Sequence, residues 1–193
     1  MKYNPEIHHR RSIRLKGYDY SQAGLYFITI CTRDRQCLFG KIADGEMVLN
    51  DAGKIAKDYL KNVPEKYNQT RMHEFVVMPN HVHAIIEITD GGVRPDVGAI
   101  HESPLHESSP PASSKPESPL RDQRRKMLLS KIMGWYKMNV AKQINIIRLT
   151  EGTPLWQRNY YEYIIRNKKS YQTIADYIIN NPAKWDDDKF FVG

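Results

Sequence analysis

The stretch Met78-Pro79-Asn80-His81-Val82-His83-Ala84-Ile85-Ile86-Glu87-Ile88 sets two imidazoles one residue apart in a run that alternates strictly. As a strand it turns His81, His83, Ile85 and Glu87 to one face and Val82, Ala84, Ile86 and Ile88 to the other. The two histidine Cα atoms are then about 7 Å apart on one side of a sheet, close enough for both rings to reach one divalent ion. Surface strands carry such pairs without any ligand, and two neutral imidazoles leave a metal site incomplete, so the pattern calls for a third ligand from elsewhere. A second polar pair lies in Asp176-Tyr177-Ile178-Ile179-Asn180-Asn181-Pro182, where Tyr177 and Asn181 share a helical face four residues apart. Ile174 and Ile178 form an adjacent apolar stripe that can dock this helix on the sheet. An ion that polarises a phosphate oxygen, beside a phenolate that attacks phosphorus, is chemistry that cuts a phosphodiester through a covalent phosphotyrosine. A free phenol titrates near about 10, so a metal or a base must help it ionise. Packing is the ordinary role of a helical tyrosine in a chain with 12 of them, and spacing alone does not separate the two roles. Tyr136 is the alternative nucleophile, although it stands in an apolar stripe with Val140 four residues on.

The elements that must position these groups are legible in outline. Gly24 to Thr32 is rich in aromatic and β-branched residues and reads as a strand, with Arg33 to Gln36 as its turn. A weaker extended pair follows at Cys37 to Lys41 and Glu46 to Leu49, with Asp44-Gly45 as the turn signal. Asp51 is placed to cap a helix running to about Tyr67, whose Ile55, Ala56, Tyr59, Leu60 and Val63 fall on one face. Strands are expected at Arg71 to Val77 and His81 to Ile88. Asp122 to about Asn145 reads as a long helix with an apolar stripe through Leu128, Leu129, Ile132, Trp135, Tyr136 and Val140. An extended aromatic segment within Leu155 to Arg166 and a helix from Ser170 to Asn181, stopped by Pro182, complete the chain. This order favours an α+β fold with helices packed on a mainly antiparallel sheet.

Residues 91 to 120 hold six of the eleven prolines, six serines and almost no bulky apolar side chain. Such a composition cannot offset the entropy of folding, so a flexible insertion is expected there, dividing one domain into 1–90 and 121–193. His101 and His106 lie in this tract and read as incidental. The chain carries 29 Lys and Arg against 22 Asp and Glu, a net +7. The insertion has two positive and four negative side chains, so the remaining sequence carries +9. This basic balance points to a polyanionic partner, although solvated lysine-rich faces produce it too. Arg10, Arg11, Arg14 and Lys16 interleave with apolar residues ahead of Tyr18 and Tyr20, a pattern suited to gripping phosphate while tyrosines stack on bases. Arg124, Arg125 and Arg158, the last beside Tyr160, Tyr161 and Tyr163, are further candidate backbone contacts. Cys31 and Cys37 form neither a metal pair nor a disulfide framework and read as reduced packing residues. No apolar run is long enough to span a bilayer and the N-terminus lacks a secretory pattern, so no membrane partner and a cytoplasmic location are expected.

The residues quoted above resemble the single-tyrosine HUH transposases, the insertion-sequence transposases and their REP-associated relatives. The family's two histidines flanking a bulky apolar residue are matched by His81-Val82-His83, and its late nucleophile helix by Asp176 to Pro182. Similar blocks occur at Arg11 to Gly40, Leu128 to Asn145 and Trp156 to Asn167, so the resemblance covers most of the chain outside the insertion. It implies a ferredoxin-like fold, Tyr177 as nucleophile, and Asn181 joining His81 and His83 as a ligand of Mg²⁺ or Mn²⁺. The histidines also suit Zn²⁺ or Ni²⁺. The implied substrate is single-stranded or hairpin DNA, of the REP repeat kind, cut to a 5′-phosphotyrosine and a free 3′-hydroxyl and rejoined without ATP. The family holds homodimers that exchange the tyrosine helix as well as members that act alone, so both arrangements stay open. Two other readings stay open as well: a nucleic-acid-binding module without catalysis, and a metallohydrolase in which His81 and His83 activate water and Tyr177 only packs.

Overall fold

Aromatic and β-branched side chains favour extended backbone, and in the computed structural model, which describes residues 19–89 and 127–191, Gly24–Cys31 forms strand β1. The expected insertion and domain boundaries, together with Arg10, Arg11, Arg14, Lys16, Arg124 and Arg125, lie outside the described residues. A hairpin follows, β2 at Gly40–Ala43 and β3 at Glu46–Leu49. Asp44 and Gly45 both take positive φ (52° and 73°), the geometry whose twist suits a two-residue hairpin turn.

Helix α1 spans Asp51–Lys61. Its cap is Asn50, whose side chain accepts from the Gly53 amide at 2.9 Å; Asp51, expected as the cap, is the first helical residue. The helix also stops short of Tyr67. It breaks at Asn62 because Pro64 has no amide hydrogen to continue the ladder, and Val63–Lys66 forms a separate short helix, α2. Gly53 allows the hairpin to lie against the start of α1: an added Cβ would run into the Phe39 carbonyl oxygen and press on a Leu49 methyl at 2.7 Å. Gly53→Ala is therefore expected to lower stability by about 3 kcal/mol despite alanine's better helix propensity. Urea unfolding would show it as an earlier midpoint; a later one would mean that this backbone approach does not hold in solution.

Strands β4 (Thr70–Val77) and β5 (His81–Ile88) come next, then helix α3 (Leu128–Arg148), strand β6 (Tyr161–Ile165) and helix α4 (Lys168–Asn180). The sheet order is β4-β5-β1-β6 with every neighbouring pair antiparallel. Leaving aside the β2–β3 hairpin, α2 and α4, the order β-α-β-β-α-β with this strand arrangement is the ferredoxin-like topology.

The two faces of the sheet are covered differently. On one, Tyr26, Ile28, Ile30, Val82, Ala84, Ile86 and Ile88 bury against Ala56 and Leu60 of α1 and the stripe Leu129, Ile132, Met133, Tyr136, Val140 and Ile144 of α3. On the other, Phe27, Ile85 and Ile165 pack under Ala175 and Ile178 of α4. Alternation along β5 thus gives the main core to the even-numbered residues and turns His81 and His83 toward α4. Tyr20 is buried in the main core beside Tyr26, so it is not open to stack on a base as expected. Cys31 is buried, whereas Cys37 is exposed and does not serve packing; both are free thiols. No described helix is long and apolar enough to cross a membrane.

Candidate active site

His81 and His83 are both buried, with ring centroids 4.5 Å apart. Each ring is held by its Nδ1. For His81 the partner is Asn80 Oδ1 at 2.9 Å. The Asn80 amide cannot turn round, because its Nδ2 donates to the carbonyls of Arg35 (3.2 Å) and Phe190 (2.7 Å). Its oxygen therefore faces the ring, Nδ1 must carry the hydrogen, and Nε2 keeps its lone pair. His83 Nδ1 lies 2.8 Å from the Thr29 hydroxyl on the neighbouring strand. In the tautomer that donates Nδ1–H to this hydroxyl, His83 Nε2 is the acceptor as well. Orienting partners of this sort fix which nitrogen a histidine offers a metal.

Helix α4 brings the second polar pair to these nitrogens. Asn167 caps it, accepting from the Ser170 amide at 2.8 Å, and Ile178 docks it on the sheet. Tyr177 Oη stands 3.1 Å from His83 Nε2 within the same chain. The phenol also donates to Asp188 Oδ2 at 3.2 Å, so two acceptors compete for its one hydrogen. Asn181 Nδ2 donates to the same Asp188 oxygen at 2.8 Å, which turns Asn181 Oδ1 the other way. The Asn181 side chain lies against His81, yet neither His81 Nε2 nor Asn181 Oδ1 has a hydrogen-bond partner among the described residues. Both are acceptors, so they cannot satisfy each other; a cation between them would satisfy both.

Asp188 escaped the sequence reading. Ligand atoms of His81, His83 and Asp188 all lie within 4.8 Å of one another. The residue follows the turn Pro182–Asp187 in an acidic run with no periodicity to single it out, and the run Asp186-Asp187-Asp188 beyond the tyrosine helix was the one available signal. Tyr136 is buried in the main core with its hydroxyl on the Ala56 carbonyl at 3.1 Å, which removes it as a nucleophile. Arg158 is exposed; Lys137 holds the Gln157 and Arg158 carbonyls at 2.6 and 3.3 Å.

Burial holds His81 at about 4, below the ordinary imidazole value of 6.5, against the opposing pull of the Asp188 carboxylate. Burial and the neighbouring His81 ring lower His83 too. Burial, then Asp188, raise the Tyr177 phenol above its usual value. The folded site thus keeps both histidines neutral, while an unfolded chain protonates them from about 6.5 downward. Between those limits the unfolded state binds more protons, so stability is full above about pH 6.5 and falls as the pH drops toward 4. For His81 alone the loss is about 3 kcal/mol. Urea unfolding of metal-free protein at pH 7 and at pH 4 measures it, and equal stabilities would contradict two neutral buried rings.

The sequence matches no protein-family model. A solved structure of a REP-associated tyrosine transposase bound to a REP hairpin is similar with a TM-score of 0.49 at 18% identity, over 89% of this chain and 73% of that one. A candidate transposase from Deinococcus radiodurans is similar with a TM-score of 0.45 at 16% identity, over 86% of this chain and 97% of that one. In sequence, an uncharacterized protein of Haemophilus influenzae is 41% identical over 191 residues, covering 99% of this chain and 98% of its own. At that identity over nearly the whole of both chains, this protein belongs to the same family as its Haemophilus influenzae relative.

Proposed function

We propose that the protein is a single-tyrosine HUH transposase that cuts and rejoins hairpin-forming single-stranded DNA through a 5′-phosphotyrosine. The observation that carries this reading is the convergence of a phenol, two buried imidazoles and a carboxamide oxygen without a partner among the described residues at one point. His81 Nε2, His83 Nε2 and Asn181 Oδ1 form the ligand set for a divalent ion, with the Asp188 carboxylate beside them. A donor set of two nitrogens and oxygens suits Mg²⁺ or Mn²⁺ once phosphate oxygens join it. When bound, the ion supplies Lewis-acid polarisation of a non-bridging phosphate oxygen and favours the ionised phenol.

The chain's own residues do the rest. Tyr177 Oη attacks phosphorus and passes its proton to Asp188 Oδ2, 3.2 Å away. The bond from phosphorus to the 3′ oxygen breaks as the bond to Tyr177 forms, leaving the 5′ phosphate on the protein and, after protonation, a free 3′-hydroxyl. Reversal by that hydroxyl or another restores a phosphodiester. The position of Tyr177 on His83 of its own chain supports a monomer acting in cis. The basic residues Arg10, Arg11, Arg14, Lys16, Arg124, Arg125 and Arg158 are assigned to the DNA backbone, and the 91–120 segment to a flexible insertion within one domain.

Incubation with REP-like hairpin DNA and Mn²⁺ should give an adduct that survives denaturation, with the phosphate mapped to Tyr177 by mass spectrometry. Cleavage without an adduct would favour a water-activating hydrolase, and binding without cleavage a recognition module. Asp188→Asn should slow adduct formation by about a hundredfold at neutral pH. Its rate should recover as the pH rises, because the phenol then ionises without a base. A pH-independent loss would remove Asp188 as proton acceptor.

A further inference from the structure

Among the described residues, helix α4 packs on β4 and β5 and leaves the β6 edge of the same sheet face uncovered. Across that edge Tyr161 pairs with Thr29 and Tyr163 with Phe27, so both tyrosines share the face that carries His83. They stay 39% and 44% exposed. Phe27 links them to the site: it stacks on His83 at 5.3 Å and meets Tyr161 and Tyr177 edge-on at 6.2 and 6.4 Å. Two cations stand near this edge. Lys189 places its ammonium 5.9 Å from the Tyr161 ring centre and 4.8 Å from that of Phe190, with the Arg35 guanidinium 5.6 Å from Phe190. A polyanion reaching Tyr177 is drawn across the tyrosines by Lys189 and Arg35.

We propose that Tyr161 and Tyr163 are a stacking platform for two unpaired bases next to the phosphate held at Tyr177; this rests on the nuclease reading above. Alternate residues of a strand stand roughly 7 Å apart, about twice the 3.4 Å rise of a stacked strand. The rings therefore fit bases splayed along an extended single strand and not neighbours within a duplex. Stacking on tyrosine tolerates any base, so the platform contributes affinity for unpaired DNA without reading sequence.

The test uses the full chain carrying Tyr177→Phe, which prevents covalent capture, and a short oligothymidylate containing 2-aminopurine. Tyr161→Ala and Tyr163→Ala should each weaken binding about tenfold and reduce the quenching of the reporter base. Tyr161→Phe and Tyr163→Phe keep the ring and should bind within about twofold of the parent. Equal binding by the alanine variants, no oligothymidylate binding by the parent, or phenylalanine variants as weak as alanine ones would overturn the platform. So would an altered oligomeric state with unaltered binding, which would make this edge a contact between copies of the chain. The two readings fail separately. An adduct on wild-type protein with tyrosine-independent binding removes the platform alone, whereas tyrosine-dependent binding with no adduct on any hairpin removes the nuclease alone.

Discussion

Tyr177→Phe is expected to abolish the protein–DNA adduct, lowering its rate of formation by about ten-thousandfold or more, while hairpin binding and folding change little. The size follows from what is removed. Phenylalanine has no atom that can form the bond to phosphorus, and loss of a covalent nucleophile is among the largest single-residue effects in catalysis. The small structural cost follows from the surroundings. The ring is 39% exposed and its edge-on packing against Phe27 is kept. The two hydrogen bonds lost share one phenol hydrogen, so the change in stability should be about 1 kcal/mol. The substitution also frees His83 Nε2, which the phenol engages in the wild-type protein at 3.1 Å. Mn²⁺ should then bind the variant at least as tightly as the wild type, a result that calorimetry can read. An adduct of undiminished yield in the variant would move the nucleophile elsewhere, and a collapsed fold would show that the phenol is structural.

The framework around Tyr177 was legible to the extent that its signals are periodic. Period-two alternation set the correct face for His81 and His83, and the helical stripe through Ile174 and Ile178 set the docking of α4. What alternation cannot show is which nitrogen of each ring faces α4. That depends on Asn80, whose orientation is decided by carbonyls at Arg35 and Phe190, far from it in the chain. Asp188 was missed for a related reason: its place is set by a short turn after Pro182, where no face repeats. The cap of α1 was misplaced by one residue because Asn50 and Asp51 are both good caps by type, and only the bond from Gly53 distinguishes them. Tyr20 was read as a surface ring because it follows a basic run, yet it packs beside Tyr26.

His81→Ala and His83→Ala are each expected to weaken Mn²⁺ binding by about a hundredfold or more and to reduce the adduct to a comparable degree, since every ligand of a three-residue set is needed to hold a weakly bound oxygen-preferring ion. Their structural consequences should differ. His81→Ala leaves Asn80 Oδ1 without the ring nitrogen it accepts from, in a buried position where an unpaired acceptor costs about 1–3 kcal/mol. The same variant removes the group held at about 4, so part of the stability lost at pH 7 should be regained relative to the wild type as the pH falls through 6 toward 4. His83→Ala leaves the Tyr177 phenol bonded to Asp188 alone. Its proton is then no longer contested, so Tyr177 should stay in place while losing both its imidazole neighbour and the ion. If either variant kept wild-type Mn²⁺ affinity, the buried lone pairs of His81 and Asn181 would need an explanation other than a cation. If both lost the ion while His81→Ala kept the wild-type pH profile, the metal site would stand and its electrostatic description would fall.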